Sequence, residues 1–271
     1  MGRKTILLTN DDGIYSDGLK VLWKYLKKRY SVCVVVPETE KSAVAHAINL
    51  FAPLKIKKIK AGKEYNAWIV NGTPVDCVKI GVSSILRRKP DIVISGINPQ
   101  SNMGMDIFYS GTVSAAAEGA ILGIPSFAVS LDCNKRYCFD TAAKITLKII
   151  REMEGIKIPP DTVININVPD IPLSKIKGIR FTYQSKARYE EEYEERKDPR
   201  GNSYYWLKGV FRRVDNEKGS DVEAVKQGYV SITPLHLDLT NHNFLSHLIS
   251  HTSTRSPRDK GVDEEDLKKS I

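Results

Sequence analysis

No Cys-x-x-Cys pair occurs in this 271-residue sequence, and its four cysteines are Cys33, Cys77, Cys133 and Cys138. That spacing excludes zinc-ribbon and dithiol redox motifs and predicts buried, inert thiols. Other signatures are missing too. There is no Gly-x-Gly-x-x-Gly after the first apolar run, no Gly-x-x-x-x-Gly-Lys-Ser/Thr and no His-Glu-x-x-His. The glycine-rich dinucleotide site, the P-loop and the zinc protease are thereby set aside. Without a Gly-x-Ser-x-Gly elbow, the serine hydrolase goes as well. An Asp-x-Asp after the first strand, expected of an aspartyl-phosphate former, is replaced by the adjacent Asp11-Asp12. No apolar run approaches the roughly 18 residues that cross a bilayer. Ile6-Leu7-Leu8 is too short for a secretory core, so the expected location is cytoplasmic, with no membrane partner. A disulfide between Cys133 and Cys138 is not expected in such a reducing setting.

The charge is one-sided, at +9, which favours anionic ligands. The basic residues fall in short separated groups, Lys27-Lys28-Arg29, Lys55 to Lys63 and Arg87-Arg88-Lys89, without interleaved aromatics. Solvated faces, and no stable nucleic-acid partner, are expected.

What is present is an alternation of strand and helix patterns. Thr5–Thr9 is a short apolar run ending in Asn10-Asp11-Asp12-Gly13, a strand and a turn. Leu19, Leu22, Trp23, Leu26 and Tyr30 follow at helical spacing. The run at 32–36 reads as a strand covered on both faces, closed by Pro37. Thr73, Pro74 and Asp76 announce a helix whose buried face is Val75, Val78, Val82, Ile85 and Leu86. Residues 91–95 form a further strand, 112–122 an alanine-rich helix, 127–129 a strand, 140–154 a helix and 163–168 a strand. This order implies a doubly wound, mostly parallel sheet with right-handed crossovers. After about residue 180 the pattern changes to long loops and antiparallel strands around Glu190–Glu195, Tyr204-Tyr205-Trp206 and Tyr229–Thr233. A loose or partner-held tail ending in Asp263-Glu264-Glu265-Asp266 closes the chain. The expected division is a core over residues 1–180 and an extension over 181–271.

Ligands of open α/β sheets bind beyond the carboxyl ends of the strands. Three polar segments fall there: Asn10–Gly13, Glu38–His46 and Gly96–Asp106. Adjacent carboxylates at a strand end are costly unless a cation or hydrogen bonds neutralise them. Few carboxylates among oxygen donors suit Mg2+ or Mn2+. The alternative is that one aspartate caps the next helix and the other faces water. Tyr109-Ser110-Gly111-Thr112 opens the alanine-rich helix, where unpaired N–H groups can receive a phosphate, or where Ser110 or Thr112 simply caps it. His46 is read as a loop histidine. His247 and His251 lie four apart, in the tail.

These segments resemble the SurE survival-protein family of 5'/3'-nucleotidases. The likeness rests on Thr9-Asn10-Asp11-Asp12-Gly13, Lys41-Ser42, Gly72 to Val78, Ser95 to Asn98, Tyr109 to Val113 with Glu118-Gly119, and Asn165-Ile166-Asn167-Val168-Pro169. Asp198-Pro199-Arg200-Gly201, Tyr205-Trp206 and Val230 to Leu235 extend it. The resemblance implies a Rossmann-like core and one divalent ion per subunit, held by Asp11, Asp12, Ser42 and Asn98. Phosphate contacts from Asn102, Ser110, Gly111 and Thr112 are implied as well. So is a homodimer or dimer of dimers that exchanges its C-terminal part. Asp11 and Asp12 are the expected catalytic pair, nucleoside 5'- and 3'-monophosphates the expected substrates, and short polyphosphate a possible further one. A non-catalytic nucleotide-binding regulatory module is the competing reading. Ala43 and Gln100 stand where the family commonly has glycine, which supplies backbone conformations other residues enter only at a cost.

Overall fold

The computed structural model describes residues 2–61, 65–133, 135–212 and 218–252. A nine-stranded sheet forms its centre. The first strand, β1 (Thr5–Thr9), is buried along its whole length, with Ile6 and Leu8 on one face and Leu7 on the other. β2 (Ser31–Pro37), β3 (Ile56–Ala61), β4 (Tyr65–Val70), β5 (Ile92–Asn98), β6 (Ser126–Asp132) and β7 (Thr162–Pro169) follow in the chain, then β8 (Ile179–Phe181) and β11 (Val230–His236). Their order across the sheet is β3-β4-β2-β1-β5-β6-β7-β11-β8. The pairs from β4 to β7 are parallel, while β3 on β4 and β11 on β7 are antiparallel.

Helices cover both faces, as a parallel sheet requires. On one face lie α1 (Asp17–Leu26) and α4 (Phe139–Glu152), which bury Leu19, Leu22, Leu26, Ile145 and Ile149 against Ile6, Leu8 and Ile94. The other face carries α2 (Pro74–Ile80) and α3 (Gly111–Ile121), packed on Leu7, Val35 and Val93. Thr73 and Asp76 close a reciprocal cap at the start of α2, as Thr-Pro-Val-Asp predicts. The expected single helix to Leu86 instead widens into a π-type turn over Gly81–Leu86 and ends at Arg87, φ 55°. Gly81 lies on Leu7, where a Cβ would come within 3.0 Å of a methyl group.

β3 and β4 add a lysine-bearing hairpin at one sheet edge that the hydrophobic pattern does not announce. Lys57, Lys58 and Lys60 protect that edge from pairing with other strands. Past residue 180, β9 (Arg188–Lys197) and β10 (Ser203–Arg212) make a separate two-stranded sheet. Tyr193, Tyr204, Tyr205, Trp206 and Leu207 on it are exposed, although aromatics of this size usually seek burial. α5 (Asp221–Lys226) then leads into β11.

The region Met1–Leu237 forms one compact unit, and Asp238–Ile271 forms another. Within the second, α6 (His242–Thr252) is a helix where only a loose tail is expected from the sequence, and the His247 and His251 rings stack 5.4 Å apart. The acidic stretch 263–266 lies outside the described residues. No helix among them is long and apolar enough to cross a membrane.

Candidate active site

The sheet order reverses between β1 and β5: from β1 the chain winds outward through β2 to β4, then returns to β5 on the other side. The crevice beyond these two strand ends is the switch point at which open α/β sheets bind ligands. Thr9 and Ser95 are register partners there, and both hydroxyls are buried without a hydrogen-bond partner. Three residues further along each strand stand Asp12 and Asn98.

Asn10 shapes the turn by bonding Gly13 twice, its amide donating to the Gly13 carbonyl at 3.0 Å and its Oδ1 accepting from the Gly13 N–H at 3.1 Å. Asp11 thereby comes off the strand end into a buried position. The Thr112 hydroxyl donates to its Oδ1 at 2.6 Å. Gly111 allows this approach: a Cβ there would sit 3.0 Å from both Asp11 Cβ and Oδ2. Burial pushes the Asp11 carboxyl above its usual range, with the Thr112 bond pulling the other way. Asp12 is pushed to about 7, first by burial and then by repulsion from Asp11 and Glu40. The Ser16 hydroxyl donates to Asp12 Oδ2 at 3.5 Å.

Glu40 is a third carboxylate of this group. It lies in the polar segment 38–46, but sequence reasoning gave it no role. The Ser42 hydroxyl donates to Glu40 Oε1 at 2.6 Å. The Lys41 N–H, next to it, donates to the Asp11 carbonyl at 2.8 Å, which fastens the loop after β2 to the turn after β1.

These donors fit a hard divalent cation. Two adjacent carboxyls at one strand end, both pushed above their usual range, create the demand for positive charge. A serine hydroxyl that donates its hydrogen bond to Glu40 keeps its lone pairs for a metal. Asn98 gives its amide N–H to the Gln100 carbonyl at 2.6 Å, which leaves its oxygen as the acceptor. No three His, Cys, Asp or Glu side chains among the described residues form a metal-holding cluster. A set of two carboxylates with neutral oxygens accords with Mg2+ or Mn2+, which retain several waters.

The expected phosphate contacts are placed as follows. Ser110 caps α3, its hydroxyl accepting from the Val113 N–H at 3.0 Å. Thr112 is bound to Asp11, so it joins the acidic pair to the helix N-terminus. Asn102 is buried, its side chain donating to Ser130 Oγ at 2.8 Å. Its backbone is held by two asparagines: Asn167 Oδ1 accepts from the Asn102 N–H at 2.9 Å, while Asn165 and Asn167 donate to its carbonyl at 2.8 and 3.1 Å. That is the structural work of the Asn165-Ile166-Asn167 motif. Asp221 adds a bond from the Gly104 N–H at 3.0 Å, so residues past 160 hold the loop after β5 in place.

Ala43 has φ 52°, the left-handed conformation for which glycine is suited, whereas Gln100 is not among the positive-φ residues. Glu118, central in α3 and buried, accepts from Lys79 Nζ at 2.9 Å and pairs with His46 Nε2 at 3.0 Å. Its carboxyl is held below the usual range, chiefly by the His46 bond. A lone glutamate among Ala115, Ala116, Ala117 and Ala120 is the signal that could have revealed it.

The architecture is that of a Rossmann-like α/β protein with an acidic pair at its switch point. The family described as "Survival protein SurE" matches residues 6–191. The chain is 48% identical over 243 residues to a 5'-nucleotidase SurE of Thermosipho melanesiensis, covering 90% of this chain and 95% of that one. A protein of the same name from Petrotoga mobilis is 47% identical over 246 residues, covering 90% and 98%. The crystal structure of the SurE protein from Aquifex aeolicus superposes with a TM-score of 0.80 at 42% identity, over 92% of this chain and 99% of that one. The chain belongs to the SurE family, and it is a hydrolase of that family.

Proposed function

We propose that this chain is a divalent-metal-dependent phosphomonoesterase that hydrolyses nucleoside 5'- and 3'-monophosphates to nucleoside and phosphate, with short-chain polyphosphate as a further substrate. The observation that carries the reading is the adjacent pair of buried Asp11 and half-buried Asp12, both carboxyls pushed up, with Asp11 bonded to Thr112 in the first turn of α3. That the relatives are 5'-nucleotidases by name supports the substrate class.

Asp11, Asp12, Ser42 and Asn98 would hold one Mg2+ or Mn2+ ion. Such an ion, when bound, supplies Lewis acidity toward a phosphoryl oxygen and toward water. Asp11 and Asp12 supply the negative charge of the set. Thr112 orients Asp11, and Glu40 accepts the hydrogen bond that orients the Ser42 hydroxyl. The first turn of α3 directs backbone N–H groups and the positive end of its dipole at an anionic substrate. Phosphoryl transfer asks chiefly for positioning and charge stabilisation, and both are available from rigid strand and helix ends.

We propose further that the protein works in the cytoplasm as a homodimer or dimer of dimers, a reading supported by four free cysteines and the exposed aromatics of β9 and β10. Within the 181–271 extension, β11 pairs with β7 and β8 of the same chain, and we therefore place the exchanged part after Leu237.

Phosphate release from nucleoside 5'- and 3'-monophosphates and tripolyphosphate, with Mg2+, Mn2+ or chelator, tests the reading. Metal-dependent release from monophosphates is expected. Binding without turnover in every arm would leave the regulatory-module alternative standing.

A further inference from the structure

The loop over residues 38–55 joins β2 to β3 without regular structure, and loops of this length in compact domains are usually functional. Leu54 packs against the core near its end, but Ile48, Leu50 and Phe51 are exposed, so apolar burial does not hold its middle. Polar ties do. Beyond the Lys41 bond, the Ala45 N–H donates to the Tyr109 carbonyl at 3.1 Å, just before α3. His46 reaches Glu118 Oε2 at 3.0 Å, and the Thr73 hydroxyl donates to the Ala47 carbonyl at 2.7 Å. Asn49 closes the series, its N–H and side-chain amide donating to Asp76 at 3.2 and 2.6 Å. Residues 41–49 are thus a strap, tied to the β1 turn, to α3 and to the cap of α2.

The strap carries its own strain. Ala43 and Ala45, on either side of Val44, both have left-handed backbone, φ 52° and 51°. Alanine persists there only where the surroundings over-determine the conformation. Ser42 adjoins this stretch, so its hydroxyl stays in place only while the strap is held.

Glu118 is built to hold it. Its two oxygens are divided: Lys79 of α2 takes Oε1, and His46 of the strap takes Oε2. The first bond joins α2 to α3, while the second does most to hold the carboxyl below its usual range. The second serves the strap.

We infer that His46, latched on Glu118, is a positioning residue of the hydrolytic site, holding the strained strap so that Ser42 is presented to the cation. The inference rests on the metal-dependent reading above. It assigns His46 no contact with substrate.

The test compares full-length wild type, His46→Ala and His46→Gln. Both variants leave the Glu118–Lys79 bond intact. Mn2+ affinity is measured by calorimetry without substrate, and hydrogen exchange of residues 41–49 is followed in metal-free protein. His46→Ala should weaken Mn2+ binding by about 10-fold or more, the usual effect of losing a group that orients a ligand. Half-saturating Mn2+ in turnover should rise in step, while kcat at saturating Mn2+ falls far less. Exchange over 41–49 should quicken while the melting temperature barely moves. Gln, which can still donate to Glu118, should restore most of the affinity. Unchanged Mn2+ affinity and exchange in His46→Ala would overturn the latch. So would an equal collapse of melting temperature in both variants, which would make His46 simply structural. If wild type binds no Mn2+, the metal-dependent reading fails instead, and the exchange data still report on the latch.

Discussion

The Thr112 hydroxyl donates a 2.6 Å hydrogen bond to the Asp11 carboxylate, and that bond ties the first turn of α3 to the end of β1. Both residues are buried, so neither has water as a substitute partner. Thr112→Val keeps the shape and removes the donor. It should lower kcat/KM by about 10- to 100-fold, as expected when the group that orients a ligating carboxylate is lost. Steady-state kinetics with unchanged circular dichroism checks it, and wild-type kcat/KM would show that Asp11 needs no such support.

Asp12 is expected to set activity against stability. Burial and its like-charged neighbours raise its carboxyl to about 7, so the metal-free fold carries a repulsion that a cation relieves. Asp12→Asn should cut metal-dependent hydrolysis by at least about 100-fold, because a charged ligand is gone. It should also raise the melting temperature of chelator-treated protein by about 2–4 °C, equivalent to roughly 1 kcal/mol in a chain of this size. Near wild-type hydrolysis by the folded variant would remove Asp12 from the site. A lower metal-free melting temperature would contradict the charge argument.

Much of this arrangement was legible in the sequence, for identifiable reasons. β1, β2, β5 and β6 are covered on both faces and read as largely apolar runs, while in β7 buried Asn165 and Asn167 alternate with Ile164, Ile166 and Val168. Asp11 and Asp12 could be singled out because they end the first of these runs. β3 escaped because its lysines, needed at an edge, mask a strand with only Ile56 and Ile59 as apolar marks. Glu40, Glu118, Asn165 and Asn167 act through partners tens of residues away, and pattern along a chain does not report distance in space. The aromatics of β10 are exposed in this chain, and their composition alone does not say whether the chain's own core or a second copy covers them.

Ala43 offers a backbone test. Its φ of 52° costs an L-residue about 1–2 kcal/mol that glycine avoids. Ala43→Gly should therefore raise the melting temperature, by about 2 °C once the greater freedom of glycine in the unfolded chain is deducted. Differential scanning calorimetry reads this directly. A drop would mean that the Ala43 methyl makes a contact worth more than the strain.

Glu118 links stability to pH. Its folded-state carboxyl lies below the ordinary value of 4.5, held there first by His46 and also by Lys79, the two groups that face it. A depressed carboxyl stabilises the fold above its unfolded pKa and loses that contribution as pH falls through the folded value. Urea unfolding at pH 7 should show Glu118→Gln less stable than wild type by about 2 kcal/mol, the scale of a hydrogen bond to a charged group. The gap should narrow below about pH 4. A gap that stays constant with pH would mean the loss comes from packing and not from charge.

The last prediction concerns assembly. The chain divides at Leu237, and the unit beyond it carries α6 with Phe244 and Leu248 exposed. The β9–β10 hairpin also stands apart from the main sheet, with Tyr205, Trp206 and Leu207 exposed. Exposed apolar residues gathered on one element mark an association site, and exchange of an identical element between two copies covers them symmetrically. Full-length protein should therefore be a dimer or tetramer by light scattering at micromolar concentration. Truncation after Leu237 leaves β11 in its sheet, so the 1–237 fragment should keep its circular dichroism spectrum while its mass falls. A cut before Tyr229 is a different experiment, because it removes a strand between β7 and β8 and should unfold that side of the sheet. A monomeric full-length protein would end the assembly proposal. A 1–237 fragment that keeps the full-length oligomer number would move the seam from the tail to the hairpin, which Trp206→Glu would then be expected to dissociate.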